Sequence, residues 1–290
     1  MTFKGEKMKI CVAGLGIIGG SVCMSLKRAG YAVDGYDISQ LPPTYALNNG
    51  IIDNVASEFH KYDIVFVAMP FKATVDFILN NGFKDGAIVS DICGVKKPIE
   101  NAVSKSARNF NYVGCHPMAG KEVSGIKNAC ADLFDGRSMV ITSNKDTDPA
   151  ALDTVRALTK DMGFGYIVEC SAETHDRKIA YTSQLAHVVS NAYVKDVDLD
   201  DCLGFTGGSF QDMTRIAGVD EAVWATLYLE NAENLNEKIS SLISSLAEIR
   251  DAISSGNEEE LKKILARGRV LFDGSKKING KKDIFVQKLR

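Results

Sequence analysis

Charge of one sign is the first thing this 290-residue sequence lacks. It sets 34 Lys and Arg against 37 Asp and Glu, a formal net charge of −3. A dedicated nucleic-acid binder needs a clustered positive face, so that class is excluded. Long apolar runs are missing too. None approaches the roughly 18 residues of a membrane-crossing helix, and residues 1–8 are polar, so neither a membrane span nor a secretory leader is expected. Cysteines number seven, an odd count, and no two lie closer than 12 residues apart. Without a CxxC pair there is no zinc-finger or thioredoxin-like pattern, and no metal site is expected. These cysteines read as small buried side chains in a reducing cytoplasm.

What is present is an alternation of two periods. Residues 9–13 (KICVA), 32–37 (AVDGYD), 62–68 (YDIVFVA) and 87–91 (AIVSD) read as strands, the third as one buried on both faces. Residues 112–115, 139–142 and 166–168 continue the series. Helical spacing separates them at 17–29, 74–79, 98–108 and 148–162. Strands alternating with helices imply crossover connections, hence a doubly wound, mostly parallel α/β sheet of the Rossmann type.

From about Ser171 the strand signal stops. Residues 173–194 read as one long helix, and residues 224–254 as another. The second carries Leu235, Ile239, Leu242, Ile243, Leu246, Ile249 and Ile253 along one face. An all-helical second domain is expected, divided from the sheet domain as 1–169 and 170–290. The stripe needs a partner face, either the core of its own domain or a second subunit in a homodimer. The tail, 262–290, holds ten Lys or Arg and two Asp or Glu, a balance of +8. It reads as a solvated helix end and loose terminus, or as a feature that steers an anionic substrate.

Gly14, Leu15, Gly16, Ile17, Ile18 and Gly19 spell GxGxxG between a buried-strand pattern and a helix. In that context the first glycine permits a tight turn, the second admits a pyrophosphate against the backbone, and the third allows helix to pack on strand. The helix N-terminus adds unpaired N–H groups and partial positive charge. Asp37 closes the next strand and can accept both ribose hydroxyls of NAD. It would repel the 2′-phosphate of NADP, and residues 38–43 offer no Lys or Arg to bind one. NAD is therefore the expected cofactor. Met69 and Pro70 follow another strand end and read as cleft lining or as a helix start.

His116 comes directly off a strand and precedes Pro117, which biases it toward extended backbone. That would hold an imidazole rigidly where cofactor and substrate meet, with a pKa suited to proton transfer. The alternative is a loop histidine without a role.

The segment around it, GCHPMAGKEVSG from Gly114 through Glu122 to Gly125, resembles the signature of the prephenate dehydrogenase family, which includes arogenate dehydrogenases. SDICGVK from Ser90 to Lys96, SQLAH from Ser183 to His187, and GGSFQDMTRIA from Gly207 to Ala217 with Trp224 resemble further family segments in order. The resemblance implies NAD-dependent oxidative decarboxylation of prephenate to 4-hydroxyphenylpyruvate, in tyrosine biosynthesis. It implies His116 as the acceptor of the ring hydroxyl proton and His187 as a second site histidine. Arg215 is implied to hold a carboxylate of the dicarboxylate substrate. Ser183, Gln184, Glu122 and Gly94 are placed near the substrate. Glu122 either orients His116 or Arg215 or serves as a helix-start acid.

Two departures stand out. Many family members carry Ser where this chain has Gly94, and the common Ser-His-Leu-Pro-His motif is Ser183-Gln184-Leu185-Ala186-His187 here. Both bear on prephenate against arogenate. Neither an appended regulatory domain nor a preceding mutase segment is expected. A β-hydroxyacid dehydrogenase, with its Lys and Asn one helical turn apart, could use Asn191 and Lys195, but it leaves the HPMAG and TRIA segments unexplained. A non-catalytic NAD-sensing module would need neither His116 nor Arg215.

Overall fold

A computed structural model of the chain describes residues 2–3, 6–120, 123–196, 202, 204–280 and 287–288. A short antiparallel pair, β1 (Thr2–Phe3) with β2 (Glu6–Lys7), precedes the first sheet. That sheet contains β3 (Ile10–Ala13), β4 (Val33–Tyr36), β5 (Ile64–Val67), β6 (Ile88–Asp91) and β7 (Asn111–Tyr112). All are parallel, in the order 4-3-5-6-7. The helices between them are α1 (Ile17–Arg28), α2 (Leu41–Asn48), α3 (Phe71–Asn80) and α4 (Lys97–Ser104).

The strand patterns lack polar alternation because both faces of the sheet are covered. Ile10, Val12, Ile64 and Phe66 enter one apolar cluster, while Cys11, Ala13, Val65 and Val67 enter a second on the opposite face. Successive residues of a strand point to opposite sides, so each face takes every other residue.

A second sheet follows, made of β8 (Gly114–Pro117), β9 (Ser138–Thr142), β10 (Tyr166–Cys170) and β11 (Gln287–Lys288), with α5 (Pro149–Asp161) between β9 and β10. Here β9 and β10 are parallel, while β8 and β11 run antiparallel to their neighbours. The single strand expected at 112–115 is thus two, and the chain changes sheets at Val113. His116 lies inside β8, opposite Val140, rather than just past a strand end. Pro117 is tolerated because β8 is an edge strand, where a missing N–H costs no ladder bond.

The helical part begins with α6 (Ala172–Ile179), capped by the Ser171 hydroxyl, which accepts from the Thr174 N–H. A π-helical turn at Ala180–Gln184 joins it to α7 (Leu185–Tyr193). The single long helix read from the sequence therefore contains a bulge, a form that recurs at functional sites. Next come α8 (Gly208–Thr214), α9 (Glu221–Glu230), α10 (Ala232–Ser254) and α11 (Glu258–Gly280). The other expected helix, 224–254, is broken at Asn231. Its backbone leaves helical values, and its buried amide donates to the Asp176 carbonyl (2.9 Å) and to Gln184 Oε1 (2.7 Å). Residues on both sides keep helical spacing, so periodicity alone could not reveal the break. The helix end expected in the tail is α11, which runs through Gly280, and further on β11 pairs with β10. Among the described residues no helix is long and apolar enough to cross a membrane.

Candidate active site

The glycine loop joins β3 to α1 at the point where the strand order turns back on itself. Gly14 has φ +96°, and a Cβ there would lie 2.3 Å from the Ala68 carbonyl oxygen. A Cβ on Gly19 would lie 1.8 Å from the Gly14 oxygen, so loop and helix touch backbone to backbone. Gly16 differs: nothing lies within 4 Å of its would-be Cβ. Its open side forms part of two adjoining clefts, of about 450 and 590 Å³, which share Gly16, Ala68, Met69 and Pro70.

Ile17 and Ile18 open α1 and line the larger cleft, and no side chain caps that helix start. Leu15 serves the site only through its backbone. Its side chain is in the core, and its N–H donates to Asp37 Oδ2 (2.8 Å). The other Asp37 oxygen accepts from the Ser39 N–H (3.0 Å), which fixes the carboxylate at the edge of the smaller cleft. Unblocked backbone, an uncapped helix start and an anchored carboxylate fit a dinucleotide.

At the other end of the larger cleft, Gly94 follows β6. A Cβ at Gly94 would sit 3.9 Å from His116 Cε1 and 3.5 Å from Leu227 on α9, so the missing side chain leaves room beside the histidine. His116 Nδ1 is 2.8 Å from His175 Nε2, and His175 Nδ1 is 2.6 Å from Asp176 Oδ1. Asp176 also accepts the backbone N–H groups of Lys96 and Lys97, each at 2.9 Å. No local side chain caps α4; a carboxylate from α6, 80 residues along the chain, does so instead.

Fully buried Lys96 pairs with Asp91. Asp91 also accepts from the Tyr112 hydroxyl (2.6 Å) and the Cys93 N–H (2.9 Å). Burial, His175 and the Lys96 charge hold His116 well below the ordinary imidazole pKa. Burial also lowers that of His175, against the pull of Asp176. Burial raises the Cys93 thiol to about 11, so it stays protonated beside the cleft near neutrality.

A third group gathers on α7. His187 Nδ1 lies 3.0 Å from the Ile216 carbonyl oxygen, the Ser190 hydroxyl donates to that of Met213 (2.7 Å), and Asn191 Nδ2 to that of Ala217 (3.2 Å). These three side chains satisfy carbonyls at the end of α8 and just beyond it, where helical partners run out. They hold the turn that carries Arg215, which caps the helix and is exposed. The His187 ring packs against Trp224, centroids 3.8 Å apart. Trp224 and Leu227 are three residues apart on α9, so one side of that helix joins the His187 group to the cleft.

The structure therefore places His116 beside Gly94, which lines the larger cleft, and brings Gly14, Gly16, Asp37, Met69 and Pro70 together around the smaller one. His187 and Arg215 belong to the α7–α8 face, with half-buried Ser183 in the π turn. Gln184 is not turned to the cleft as the sequence suggested. It is buried, and its amide donates to the Leu227 carbonyl (2.9 Å) while accepting from Asn231. Its amide is held by partners 43 and 47 residues further along the chain, on α9 and at its end. Asn191 is likewise engaged with Ala217. Glu122 lies outside the described residues.

Sequence reasoning missed His175, Asp176, Lys96 and Asp91. A His-Asp pair just inside a helix start was the only local signal for the first two. Burial of Lys96 has none, since lysine is mostly exposed unless paired.

Comparison with known proteins agrees with this geometry. A family model described as the prephenate dehydrogenase nucleotide-binding domain matches residues 22–168, and one described as the prephenate dehydrogenase dimerization domain matches residues 171–267. Prephenate dehydrogenase of Bacillus subtilis is 28% identical over 283 residues, covering 92% of this chain and 76% of that protein. Cyclohexadienyl dehydrogenase of Zymomonas mobilis is 28% identical over 266 residues, covering 87% and 90%. The solved prephenate dehydrogenase from A. aeolicus in complex with hydroxyphenyl propionate and NAD+ superposes with TM-score 0.80 at 30% identity, covering 93% of this chain and 98% of that one. Synechocystis arogenate dehydrogenase gives 0.78 at 26%, covering 92% and 100%.

Proposed function

This chain belongs to the prephenate dehydrogenase family, and on that premise we propose that it catalyses NAD-dependent oxidative decarboxylation of prephenate to 4-hydroxyphenylpyruvate. The observation that carries the reading is His116: its Nδ1 is engaged by His175, and its ring sits beside Gly94, which lines the larger cleft. NAD+, bound along Gly14, Gly16, Asp37, Met69 and Pro70, would supply the hydride acceptor.

The chain's own tasks follow from the substrate. The ring hydroxyl must release its proton as hydride leaves the same carbon, and neutral His116 Nε2 accepts it. Loss of CO₂ then returns an electron pair to that oxygen through the ring. The resulting phenolate takes the proton back from His116, so no net proton is released. General acid–base assistance of this kind is worth roughly 10²–10⁴-fold in rate. Arg215 binds a substrate carboxylate through paired N–H groups, an arrangement lysine cannot reproduce. His187 acts as a positioning residue by holding the Arg215 turn. Gln184 does the same for α9, through Leu227 and Asn231.

The division into a cofactor part (1–169) and a helical part (170–290) belongs to this reading and is supported by where the two family-model matches meet. So does a homodimer through the helical part. On α10, Leu235 is buried, but Ile243, Leu246 and Ile253 remain 61%, 56% and 62% exposed in the single chain. Light scattering at micromolar concentration should give twice the chain mass, and a monomer would count against the dimer. A cytoplasmic location belongs to the same reading.

The deciding experiment measures NADH formation with prephenate and arogenate side by side. Expected is a kcat/KM for prephenate at least about tenfold above that for arogenate, with NADP a poor substitute for NAD. The reverse preference would make the protein an arogenate dehydrogenase. Turnover of neither would overturn the reading.

A further inference from the structure

We propose that His175 and Asp176 are positioning residues that lock His116 in the tautomer carrying its proton on Nδ1, leaving Nε2 as the acceptor for substrate. The directions of the hydrogen bonds follow from one fixed end. Asp176 accepts two backbone N–H groups at the start of α4, Lys96 on Oδ1 and Lys97 on Oδ2. Only a carboxylate suits two donors and a helix N-terminus together.

Asp176 Oδ1 must then also accept at the 2.6 Å contact with His175, so the His175 proton is on Nδ1. A neutral imidazole has one donor and one acceptor nitrogen. His175 Nε2 is therefore the acceptor in the 2.8 Å contact, and His116 Nδ1 is the donor. The remaining nitrogen of neutral His116, Nε2, holds a free lone pair and has no protein partner among the described residues. Burial favours the neutral form of both rings, as this chain of bonds requires.

The consequence for the reaction rests on the function proposed above. When Nε2 takes the hydroxyl proton, His116 becomes an imidazolium. Its Nδ1–H still points at an acceptor whose own ring is backed by a carboxylate. The positive charge is thereby stabilised without moving any heavy atom, and the same proton returns from Nε2 to the phenolate oxygen once CO₂ has left. Asp176 stays ionised throughout. The α6 helix thus contributes to the base on β8, although neither residue needs to touch substrate.

The test uses the whole protein labelled with ¹⁵N-histidine, where only His60, His116, His175 and His187 contribute signals. Ring nitrogen shifts near pH 7.5 should show His116 and His175 protonated on Nδ1, without any substrate present. His116 carrying its proton on Nε2 would overturn the proposal. His175→Gln keeps an acceptor oxygen within reach of His116 Nδ1, whereas His175→Phe keeps bulk and removes the acceptor. Expected is a fall in kcat of about 100-fold for H175F with the KM for NAD unchanged, and recovery to within about tenfold of wild type for H175Q. The Nδ1–H signal of His116 should weaken in H175F and persist in H175Q.

Equal losses in both variants with an unaltered His116 signal would mean a merely structural role and would overturn the proposal. If H175F fails to fold, the wild-type spectrum and H175Q still decide. A correct tautomer in an enzyme that turns over neither prephenate nor arogenate would refute the proposed function and leave the locked tautomer standing.

Discussion

The two ends of the cleft are built on opposite plans. At the cofactor end, one short loop supplies most of the site: Gly14, Gly16 and Gly19 lie within six residues, and Asp37 is tied to Leu15 only 22 residues away. At the end proposed for proton transfer, His116 meets His175 across 59 residues, and Asp176 meets Lys96 across 80. A pyrophosphate needs backbone N–H groups and an absence of side chains, which a continuous loop can provide. A proton acceptor needs a defined tautomer, which takes a row of side chains facing one another. Such a row comes most readily from separate elements.

The comparison can be broken or sharpened by substitution. The largest effect should come from His116→Asn, with kcat down about 10²–10⁴-fold and prephenate affinity within a few-fold. Single-turnover hydride transfer would read it, and an unchanged kcat would sink the assignment. Arg215→Ala should raise the prephenate KM by about 10–100-fold, the value of a charge-assisted pair, and lower kcat less. A wild-type KM would remove Arg215 from the site.

The glycine loop yields a paired test. Gly19→Ala forces a Cβ against backbone and should cost about 1–3 kcal/mol in urea unfolding. Gly16→Ala meets open space, so stability should stay within about 0.5 kcal/mol while the NAD KM rises. Equal stability losses in both would contradict the packing described.

Acid should act on the other end. The folded-state pKa values of His116 and His175 lie below the ordinary 6.5. Between 6.5 and those values the unfolded chain binds more protons, so stability is complete above 6.5, falls as pH drops below it, and levels off beneath the folded values. With His116 as the proposed proton acceptor, activity should hold to lower pH than an ordinary histidine allows. Thermal unfolding from pH 8 to 5 measures the first effect, and a Tm that rises on acidification would refute it. The smallest change should be Gly94→Ser. Its Cβ would make ordinary contacts at 3.5–3.9 Å, so stability should stay within about 0.5 kcal/mol and kcat within about tenfold.

Much of this was legible beforehand. The alternation of strands and helices, the glycine loop, Asp37 and His116 each carry a local pattern. Other features do not. The sheet change at Val113 was hidden because Tyr112 to Cys115 is only four residues, too short for a period to show where one strand ends and the next begins. The break at Asn231 was hidden because helical spacing continues on both sides of it. Gln184 was misplaced because what holds its amide, the Leu227 carbonyl and Asn231, comes from 43 and 47 residues away and leaves no local pattern. That the side chains of His187 and Asn191 hold the carbonyls beside Arg215 was hidden as well, since those partners lie 29 and 26 residues away.

The amino-acid sequence alone specified the elements whose information is short-range: steric freedom at Gly14, strand period in residues 64–67, and polarity at Asp37. Folding added everything that depends on which surfaces meet. The uncapped start of α4 found its carboxylate on α6, and the same carboxylate orients His175 toward His116. Hydrogen-bond direction and burial are properties of neighbours in space, and neighbours 59 and 80 residues apart leave no local trace.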